Sequence, residues 1–342
     1  EVPPSVKGRA SRGQRVFAAS VAPHERSAPI PFYPMSKPMK PSSATVAKSI
    51  RRVHRAPAPH WVGNGFHVNS LFFYDQDAQA LSPFLLLDYA APRTFAPSSQ
   101  PRGVGVHPHR GFETVTVAYQ GEIEHRDSEG NRGVIGTGDV QWMTAASGIV
   151  HEEWLSSAFN ARGGTLEMAQ LWVNLPAQAK RAPPRYQALT QAQIPVVRND
   201  GVTVRVIAGA YPDAAGETLA HGPAQTFSPV DVWDMRIEPE RRLDLALRDG
   251  YTTILALLKG SLRVHGETHV NAPTAILFER EGSVVTIEAG AEGASVLVLH
   301  GEPLNEPVAG HGPFVMNTRE ELVEAFTDYQ RGTFVRSRAT QG

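Results

Sequence analysis

The sequence contains no cysteine among its 342 residues. Disulfides, thiolate metal sites, iron–sulfur clusters and cysteine nucleophiles are therefore excluded. Any metal chemistry must use imidazole and carboxylate ligands, which the 13 histidines and 34 acidic residues can supply. Such ligands suit iron(II), manganese, nickel, copper or zinc.

Long apolar runs and a strong net charge are also missing. No apolar run approaches the roughly 20 residues of a transmembrane helix, and the start of the chain has no signal-peptide-like apolar core. Lys and Arg total 33 against 34 Asp and Glu. The overall charge therefore gives no reason to expect nucleic acid or an anionic membrane as a direct partner, and we expect a soluble cytoplasmic protein.

The balanced charge hides an asymmetry at the N-terminus. Residues 1–60 hold 11 Lys or Arg and ten of the 27 prolines, but only two acidic residues. Such a segment buries too little apolar surface to order itself, so residues 1–48 are predicted to be a basic, proline-rich, disordered leader. It is either a basic tail for nucleic acid or targeting, or an appended leader that ends before a natural start at Met35. The second interpretation is favoured.

From about Trp61, short apolar segments alternate with turn residues, as expected of β-strands. They recur without intervening helical patterns, and a second strand-rich set follows a segment rich in Pro, Gln and Arg. This spacing predicts an all-β protein with two duplicated β-domains. The predicted boundaries are an N-terminal domain at residues 49–178, a linker or crossover at 179–195 and a C-terminal domain at 196–342.

The C-terminal domain ends in a predicted helix over residues 318–331. Thr318 and Glu321 form a capping box at its start, and Gly332 stands where a C-terminal stop belongs. An apolar stripe at i, i+4 and i+7 predicts a helix that packs on the barrel and takes no part in catalysis.

Two short motifs carry the candidate chemistry. Alternate side chains of an extended chain share a face, so His107 and His109 project together, and His151 and Glu153 do the same. Two such strands facing each other make a four-ligand pocket, which the surrounding apolar strands place inside a β-barrel. The alternative is a set of hydrogen-bonded polar residues in a barrel mouth, which two such pairs in one barrel disfavour.

A second carboxylate competes with Glu153 for the fourth position. Glu113 has the same strand parity as His109, so geometry alone does not exclude it. Glu152, in contrast, is expected to point away from His151. Reasoning from the residues leaves Glu113 and Glu153 both open.

The second half of the chain lacks a matching ligand set. The strand that should mirror the first motif, residues 251–254, reads Tyr-Thr-Thr-Ile and offers no ligand. His265 and His269 flank a glycine-containing turn, where solvated histidines are expected. One metal is therefore predicted, in the N-terminal half.

Several sequence blocks resemble the pirin family of the cupin superfamily. In chain order they are residues 107–114 (HPHRGFET), 138–144 (GDVQWMT), 148–153 (GIVHEE), 170–176 (QLWVNLP), 301–307 (GEPLNEP) and 312–318 (GPFVMNT). The resemblance runs from about Trp61 to Phe334. It implies a bicupin, with two β-barrel domains of the double-stranded β-helix type in tandem and a single non-haem iron in the N-terminal cupin.

The resemblance also implies a ligand set. Pirins use the two histidines of the first block with the His and Glu of the third, which correspond here to His107, His109, His151 and Glu153. The wider cupin superfamily takes its carboxylate from the position of Glu113 instead, and Glu153 is preferred. The implied cofactor is Fe(II), with other divalent transition metals as alternatives.

Several bacterial pirins have an activity of the quercetin 2,3-dioxygenase kind. The resemblance therefore implies a dioxygenase that opens the heterocyclic ring of flavonols such as quercetin. The flavonol would chelate through its 3-hydroxyl and neighbouring carbonyl, Glu153 would accept the hydroxyl proton, and carbon monoxide would be released. The implied partners are a flavonol-like substrate and dioxygen.

Two other classes remain open. Eukaryotic pirins are associated with transcriptional co-regulation, so one alternative is a metal-dependent regulatory protein that binds a protein partner. The other is a cupin isomerase or decarboxylase acting on a sugar or small acid. That reaction would need no dioxygen.

Overall fold

The structure of the protein, a computed structural model, describes residues 46–335. The first half of this part is built from short antiparallel strands, rich in the β-branched and aromatic residues that suit a pleated surface. These strands are β1 (Ile50–Arg55), β2 (His60–Val62), β3 (Phe66–Phe73), β4 (Phe84–Phe95), β5 (Gly103–His109), β6 (Phe112–Gln120), β7 (Ile123–Asp127), β8 (Arg132–Ile135), β9 (Val140–Thr144), β10 (Ile149–Leu155), β11 (Gly164–Asn174) and β12 (Arg185–Leu189).

The second half is likewise built from antiparallel strands. Its strands are β13 (Val196–Asn199), β14 (Val202–Ala208), β15 (Ala210–Pro212), β16 (Thr218–His221), β17 (Val230–Ile237), β18 (Arg242–Ala246), β19 (Thr252–Val264), β20 (Thr268–Asn271), β21 (Thr274–Phe278), β22 (Val284–Gly301), β23 (Ala309–His311) and β24 (Phe314–Met316). The helices of the described part are α1 (Ala78–Leu81), α2 (Ser157–Arg162), α3 (Arg319–Arg331) and the 3-10 turns Ala177–Ala179 and Gln191–Gln193. No helix of this part is long and apolar enough to cross a membrane.

The N-terminal barrel consists of a seven-stranded and a four-stranded sheet. Their strand orders are β12-β9-β6-β11-β4-β3-β2 and β5-β10-β7-β8. Side chains from both sheets meet in one apolar cluster, for example Ala118 with Ile123 and Leu155. Both predicted metal motifs lie on neighbouring strands of the four-stranded sheet, because β5 pairs directly with β10.

The C-terminal barrel is formed by one continuous sheet. Its strand order is β1-β21-β19-β22-β17-β14-β13, with β18 on the edge of β22 and β20 on the edge of β19. The long strands β19 and β22 run through both walls of the barrel, since each pairs with different neighbours along its length. A second apolar cluster fills the interior, with Trp233, Leu245 and Val298 among its members.

The two barrels share a third and larger apolar core. It contains Val115 and Trp142 from the first half and Ile254 and Leu299 from the second, all 0 % exposed. The alternation of side chains explains this arrangement, because the seven-stranded sheet and the C-terminal sheet each line their own barrel with one face and pack with the other face in the shared core. The predicted all-β architecture of two barrels in tandem with a C-terminal helix is confirmed.

Strand pairing crosses the predicted domain boundaries in two places. β1, predicted in the N-terminal domain, pairs with β21 of the C-terminal sheet. β12, predicted as linker, pairs with β9 of the N-terminal sheet. Both are hydrogen-bonded pairings between segments far apart in sequence. The residue pattern of each strand alone does not predict them.

Most of the predicted leader, residues 1–48, lies outside the described residues. Its last residue, Lys48, is buried, and its Nζ donates hydrogen bonds to the carbonyl oxygens of Tyr251 at 3.2 Å and Arg280 at 2.5 Å. Lys48 therefore belongs to the C-terminal barrel. A truncation that tests the leader prediction must end at residue 45.

The predicted C-terminal helix is α3, which begins after the N-cap Thr318 with the expected capping box and ends at the left-handed Gly332. It docks on the end of β5 through Arg110. The Arg110 guanidinium contacts a carboxylate oxygen of Asp328 at 2.8 Å and lies 4.3 Å from the ring centre of Phe334. The helix therefore supports the strand that carries the first metal motif.

A buried lysine, Lys180, joins three segments of the same region by hydrogen bonds. Lys180 is 1 % exposed, and its Nζ donates to the carbonyl oxygens of Gly111 at 2.8 Å and Val315 at 2.9 Å and to Oδ1 of Asn174 at 2.7 Å. Burial lowers the pKa of Lys180 to about 7. The three acceptors oppose that shift, because only the ammonium form offers three donors.

Replacing Lys180 with Met should lower the free energy of unfolding by about 2–4 kcal/mol, because three buried oxygens lose their donor. Arg181→Met is the matched control, since Arg181 pairs with Glu324 at 2.7 Å in an exposed position. Such exposed pairs contribute about 0–1 kcal/mol. Chemical denaturation measures both variants, and equal stabilities would contradict the fastening role of Lys180.

Candidate metal centre

Three histidines of the two predicted motifs meet at the mouth of the N-terminal barrel. His107 stands opposite His151 in the pairing of β5 with β10. The ring centres of His107, His109 and His151 are 4.2 to 4.9 Å apart. One ring nitrogen from each lies within 4.8 Å of the others, and His109 and His151 are buried while His107 is half-buried. Strand alternation and strand pairing together produce this group.

The Nδ1 atoms of the first two histidines face carbonyl oxygens. Nδ1 of His107 lies 2.8 Å from the oxygen of Gly105, and Nδ1 of His109 lies 3.3 Å from that of Pro313. A carbonyl can only accept, so Nδ1 carries the proton in both rings. The lone pair of each neutral ring is therefore on Nε2.

The third histidine is oriented by a relay of two further residues, His125 and Asp127. Nε2 of His125 donates to Oδ2 of Asp127 at 3.0 Å, and Nδ1 of His125 lies 3.4 Å from Nδ1 of His151. Because the hydrogen of the neutral His125 ring lies on Nε2 and is donated to the carboxylate, Nδ1 of His125 is left as an acceptor. His151 then donates through Nδ1 and keeps its lone pair on Nε2.

Asp127 is itself held as a carboxylate. Burial alone raises its pKa, but hydrogen bonds from His125 and Asn131 outweigh this effect, so the pKa of Asp127 is lowered. Its Oδ1 also accepts the backbone N–H groups of Glu129 and Asn131 at 3.0 Å. Tyr186 stacks on His125 with ring centres 4.7 Å apart, which fixes the plane of the relay.

The lone pair on Nε2 of His151 has no partner among the described residues, although the atom is buried. A buried acceptor without a donor is costly, and a bound cation would satisfy it together with the two Nε2 atoms beside it. Burial lowers the pKa of His109 to about 3 and that of His151 well below its usual range. Both rings are therefore neutral near pH 7, which is the form that binds metals. These residues fit a divalent transition metal.

Glu153 lies deeper in the barrel, in a second group with His151 and His125 whose ligand atoms are within 4.8 Å of one another. The carboxylate is 5 % exposed. Side chains of the opposite sheet hold it: Gln141 makes a short hydrogen bond to Oε1, and Gln170 donates to Oε2 at 3.3 Å. The structure thus brings Glu153 next to His151, while the groups that contain His107 and His109 do not include it.

Glu113 belongs to neither group. Its Oε1 accepts a hydrogen bond from Thr144 at 2.7 Å, and it shares its side of β6 with Val115 and Val117 of the shared core. Burial raises the pKa of Glu113 to about 7. Glu113 and His109 do not point to the same side, because the chain turns between β5 and β6 and the alternation of side chains is not continuous across the turn.

That turn depends on Gly111. Its φ of 91° lies in the region that favours glycine, and a Cβ there would stand 1.9 Å from the carbonyl oxygen of Val315. The turn resets the alternation of side chains, so that Glu113 faces away from the three histidines.

Sequence reasoning missed the relay and the amides that hold Glu153. His125 and Asp127 alternate on β7 as His151 and Glu153 do on β10, which is a signal of the same kind. This alternation can be interpreted only with the pairing of β7 with β10, which places His125 opposite Glu153. In the C-terminal half, Nε2 of His265 lies 2.9 Å from the oxygen of Lys48, and both candidate metal groups of the described residues lie in the N-terminal half.

Two antiparallel β-barrels in tandem, with a histidine-rich centre in the mouth of the first, define the bicupin class. Comparison with known families gives the particular assignment. The family model Pirin matches residues 65–173, and the model of the pirin C-terminal cupin domain matches residues 232–335. The chain belongs to the pirin family.

Individual relatives agree with this assignment. The chain is 52 % identical over 280 residues to a Pseudomonas aeruginosa protein provisionally named quercetin 2,3-dioxygenase, a match that covers 81 % of this chain and 95 % of the relative. A pirin-like protein of Caulobacter vibrioides is 40 % identical over 259 residues, covering 75 % and 89 % of the two chains.

Among solved structures, the chain is similar to the crystal structure of a quercetin 2,3-dioxygenase from Acinetobacter baumannii. The TM-score is 0.81 at 48 % sequence identity, and the match covers 84 % of this chain and 99 % of that chain.

We expect His107→Ala or His151→Ala to abolish tight metal binding, because each removes one of three converging lone pairs. His265→Ala should leave it unchanged, since His265 contacts Lys48 in the other barrel. Elemental mass spectrometry of the purified proteins measures the metal content. Equal content in wild type and His107→Ala would reject the site.

The relay makes a separate prediction. In Asp127→Asn the side-chain amide can donate an N–H group to Nε2 of His125. The hydrogen of His125 then lies on Nδ1 and is donated to Nδ1 of His151. The hydrogen of His151 is therefore placed on Nε2. Metal affinity should fall about 10- to 100-fold. Asp139→Asn is the control, because among the described residues Asp139 accepts hydrogen bonds from the backbone N–H groups of Gly136 and Gln191.

Competition with a chelator measures the affinities of both variants. Nitrogen chemical shifts of the metal-free proteins report the ring tautomer of His151 directly. An unchanged tautomer and affinity in Asp127→Asn would show that the relay does not orient His151.

Proposed function

We propose that the protein is an iron(II)-dependent dioxygenase that opens the heterocyclic ring of flavonols such as quercetin. The observation that carries the proposal is the buried carboxylate of Glu153, held beside His151 by Gln141 and Gln170. A centre that only binds metal structurally needs no such poised base. Relatives that bear quercetin 2,3-dioxygenase names support the substrate class.

His107, His109 and His151 would hold the metal through their Nε2 atoms, with Glu153, beside His151, as the fourth ligand of the proposal. When bound, iron(II) supplies open coordination positions and a path for electrons from the substrate to dioxygen. Three neutral imidazoles and the single carboxylate of Glu153 would leave a net positive charge on a divalent metal, which favours a substrate that binds as an anion. A flavonol that has lost the proton of its 3-hydroxyl is such a substrate.

Glu153 is the group that accepts this proton. Its side chain is buried. The amide N–H groups of Gln141 and Gln170 hold the carboxylate in place before a substrate binds. The proton moves from the 3-hydroxyl oxygen to an Oε atom of Glu153, which later returns it to the product. Thr116 orients both amides, because its hydroxyl donates to Oε1 of Gln170 at 2.5 Å and accepts from Nε2 of Gln141 at 3.1 Å.

The overall reaction needs no external reductant. The flavonol supplies the electrons, dioxygen is the oxidant, and the products are the ring-opened ester and carbon monoxide. A cupin isomerase or decarboxylase would turn over without dioxygen, so an assay under anaerobic conditions separates the two classes. A regulatory protein would show no flavonol turnover above that of free iron.

The two carboxylates give the sharpest test. Glu153→Gln keeps the shape of the side chain but removes its charge and basicity, so flavonol turnover should fall about 100-fold or more. Glu113→Gln should change turnover by less than about threefold, because Glu113 faces Thr144 and the shared core.

Metal content and flavonol oxidation should be measured side by side in the two variants. Loss of metal in Glu113→Gln with full activity in Glu153→Gln would reject the proposed base and leave the three histidines standing. Equal turnover in air and under argon would reject a dioxygenase altogether.

A further inference from the structure

The C-terminal barrel contains a cavity of about 280 Å³ that no part of the proposed reaction uses. It opens between β13, β14 and β18 and is bordered by the β15–β16 hairpin. This volume approaches the lower end of the range of small-molecule pockets, about 300–1,000 Å³. The cavity is therefore large enough for a small organic ligand.

The inner wall of this cavity is aromatic and aliphatic. Tyr211 and Trp233 line it with their rings edge to face, 5.1 Å apart and at 81°. Val204 and Leu245, both buried, add aliphatic surface, and half-buried Val197 closes one side. Such walls favour a flat apolar body.

One polar group of the wall lacks a partner. Trp233 is 1 % exposed, and its Nε1–H group has no acceptor among the described residues. A buried donor without an acceptor is unfavourable, and an oxygen of a bound ligand would remove this cost. The wall therefore favours a ligand that carries a hydrogen-bond acceptor.

The carboxylates at the rim are already engaged with the protein. Asp244 accepts a hydrogen bond from Thr286 at 2.6 Å, and Asp200 pairs with Arg241. Arg242 adds a cation to the same rim, so both signs are present. A rim of mixed charge gives no preference for an ionic ligand and favours a neutral one.

A metal is not the occupant. The adjoining polar corner, which shares Trp233 with the cavity, contains His300. Nε2 of His300 accepts the backbone N–H of Arg248 at 3.0 Å, and its Nδ1 lies 3.0 Å from Oγ1 of Thr253. Both nitrogens are used, so no lone pair is left for a cation.

We propose that the C-terminal barrel binds a small, neutral, planar aromatic molecule that carries a hydrogen-bond acceptor. The ring system lies against Tyr211, and the acceptor takes the N–H of Trp233. This site is separate from the metal centre, which lies in the other barrel, and it does not depend on the proposed dioxygenase activity.

Chromone is a suitable probe, because it is planar and neutral, has one carbonyl acceptor and lacks the hydroxyl needed to chelate a metal. Calorimetric titration of the full chain should show saturable 1:1 binding below about 1 mM. His107→Ala should bind chromone as well as wild type does. Loss of binding in His107→Ala would place the probe at the metal centre and overturn the proposal.

Two adjacent valines on β13 provide a matched pair. Val197→Phe fills the cavity and should weaken binding at least about tenfold, whereas Val196→Phe adds the same bulk on the exposed face of the strand and should leave binding within about twofold. Val196 is 39 % exposed. Equal affinities in the two variants would overturn the proposal.

Trp233→Phe tests the hydrogen bond and is independent of the valine pair. It keeps an aromatic wall but removes the donor, so binding should weaken about fivefold. Unchanged affinity would reject Trp233 as the recognition group. An absence of saturable binding by wild type up to 1 mM would reject the site itself.

Discussion

The metal centre depends on one constraint, that the Nδ1 atom of each histidine meets an acceptor. Where Nδ1 carries the proton, Nε2 has the lone pair, and three such lone pairs converge between β5 and β10. A ring that changed its tautomer would turn an N–H group toward the position proposed for the metal. The surrounding structure therefore has to supply the right acceptor at the right place for each ring.

Those acceptors come from three different parts of the chain, which links the centre to the whole fold. Gly105 belongs to β5 itself, and the relay of His125 and Asp127 belongs to the neighbouring strand β7. Pro313 lies in the C-terminal segment, which Arg110 and Lys180 fasten to the N-terminal barrel. The shared apolar core and the docked helix α3 thus bear on the chemistry of the first barrel.

The two barrels have the same architecture but opposite polar chemistry. In the N-terminal barrel His151 keeps a buried lone pair without a partner. In the C-terminal barrel His300 has protein partners at both nitrogens, and the N–H donor of Trp233 is among the buried groups that lack a partner in the described residues. A cation would satisfy the first arrangement and a neutral acceptor the second, so the two barrels do not carry the same polar groups.

By itself the sequence determined what local periodicity can encode: the strands, the capped helix α3, and the pairs His107 with His109 and His151 with Glu153. Only the tertiary structure decided what depends on contacts between distant segments. The turn at Gly111 directs Glu113 into the shared core, and the pairing of β7 with β10 brings His125 to His151. The pairings of β1 with β21 and of β12 with β9 have the same origin, because backbone hydrogen bonds between strands carry no signal in either strand alone.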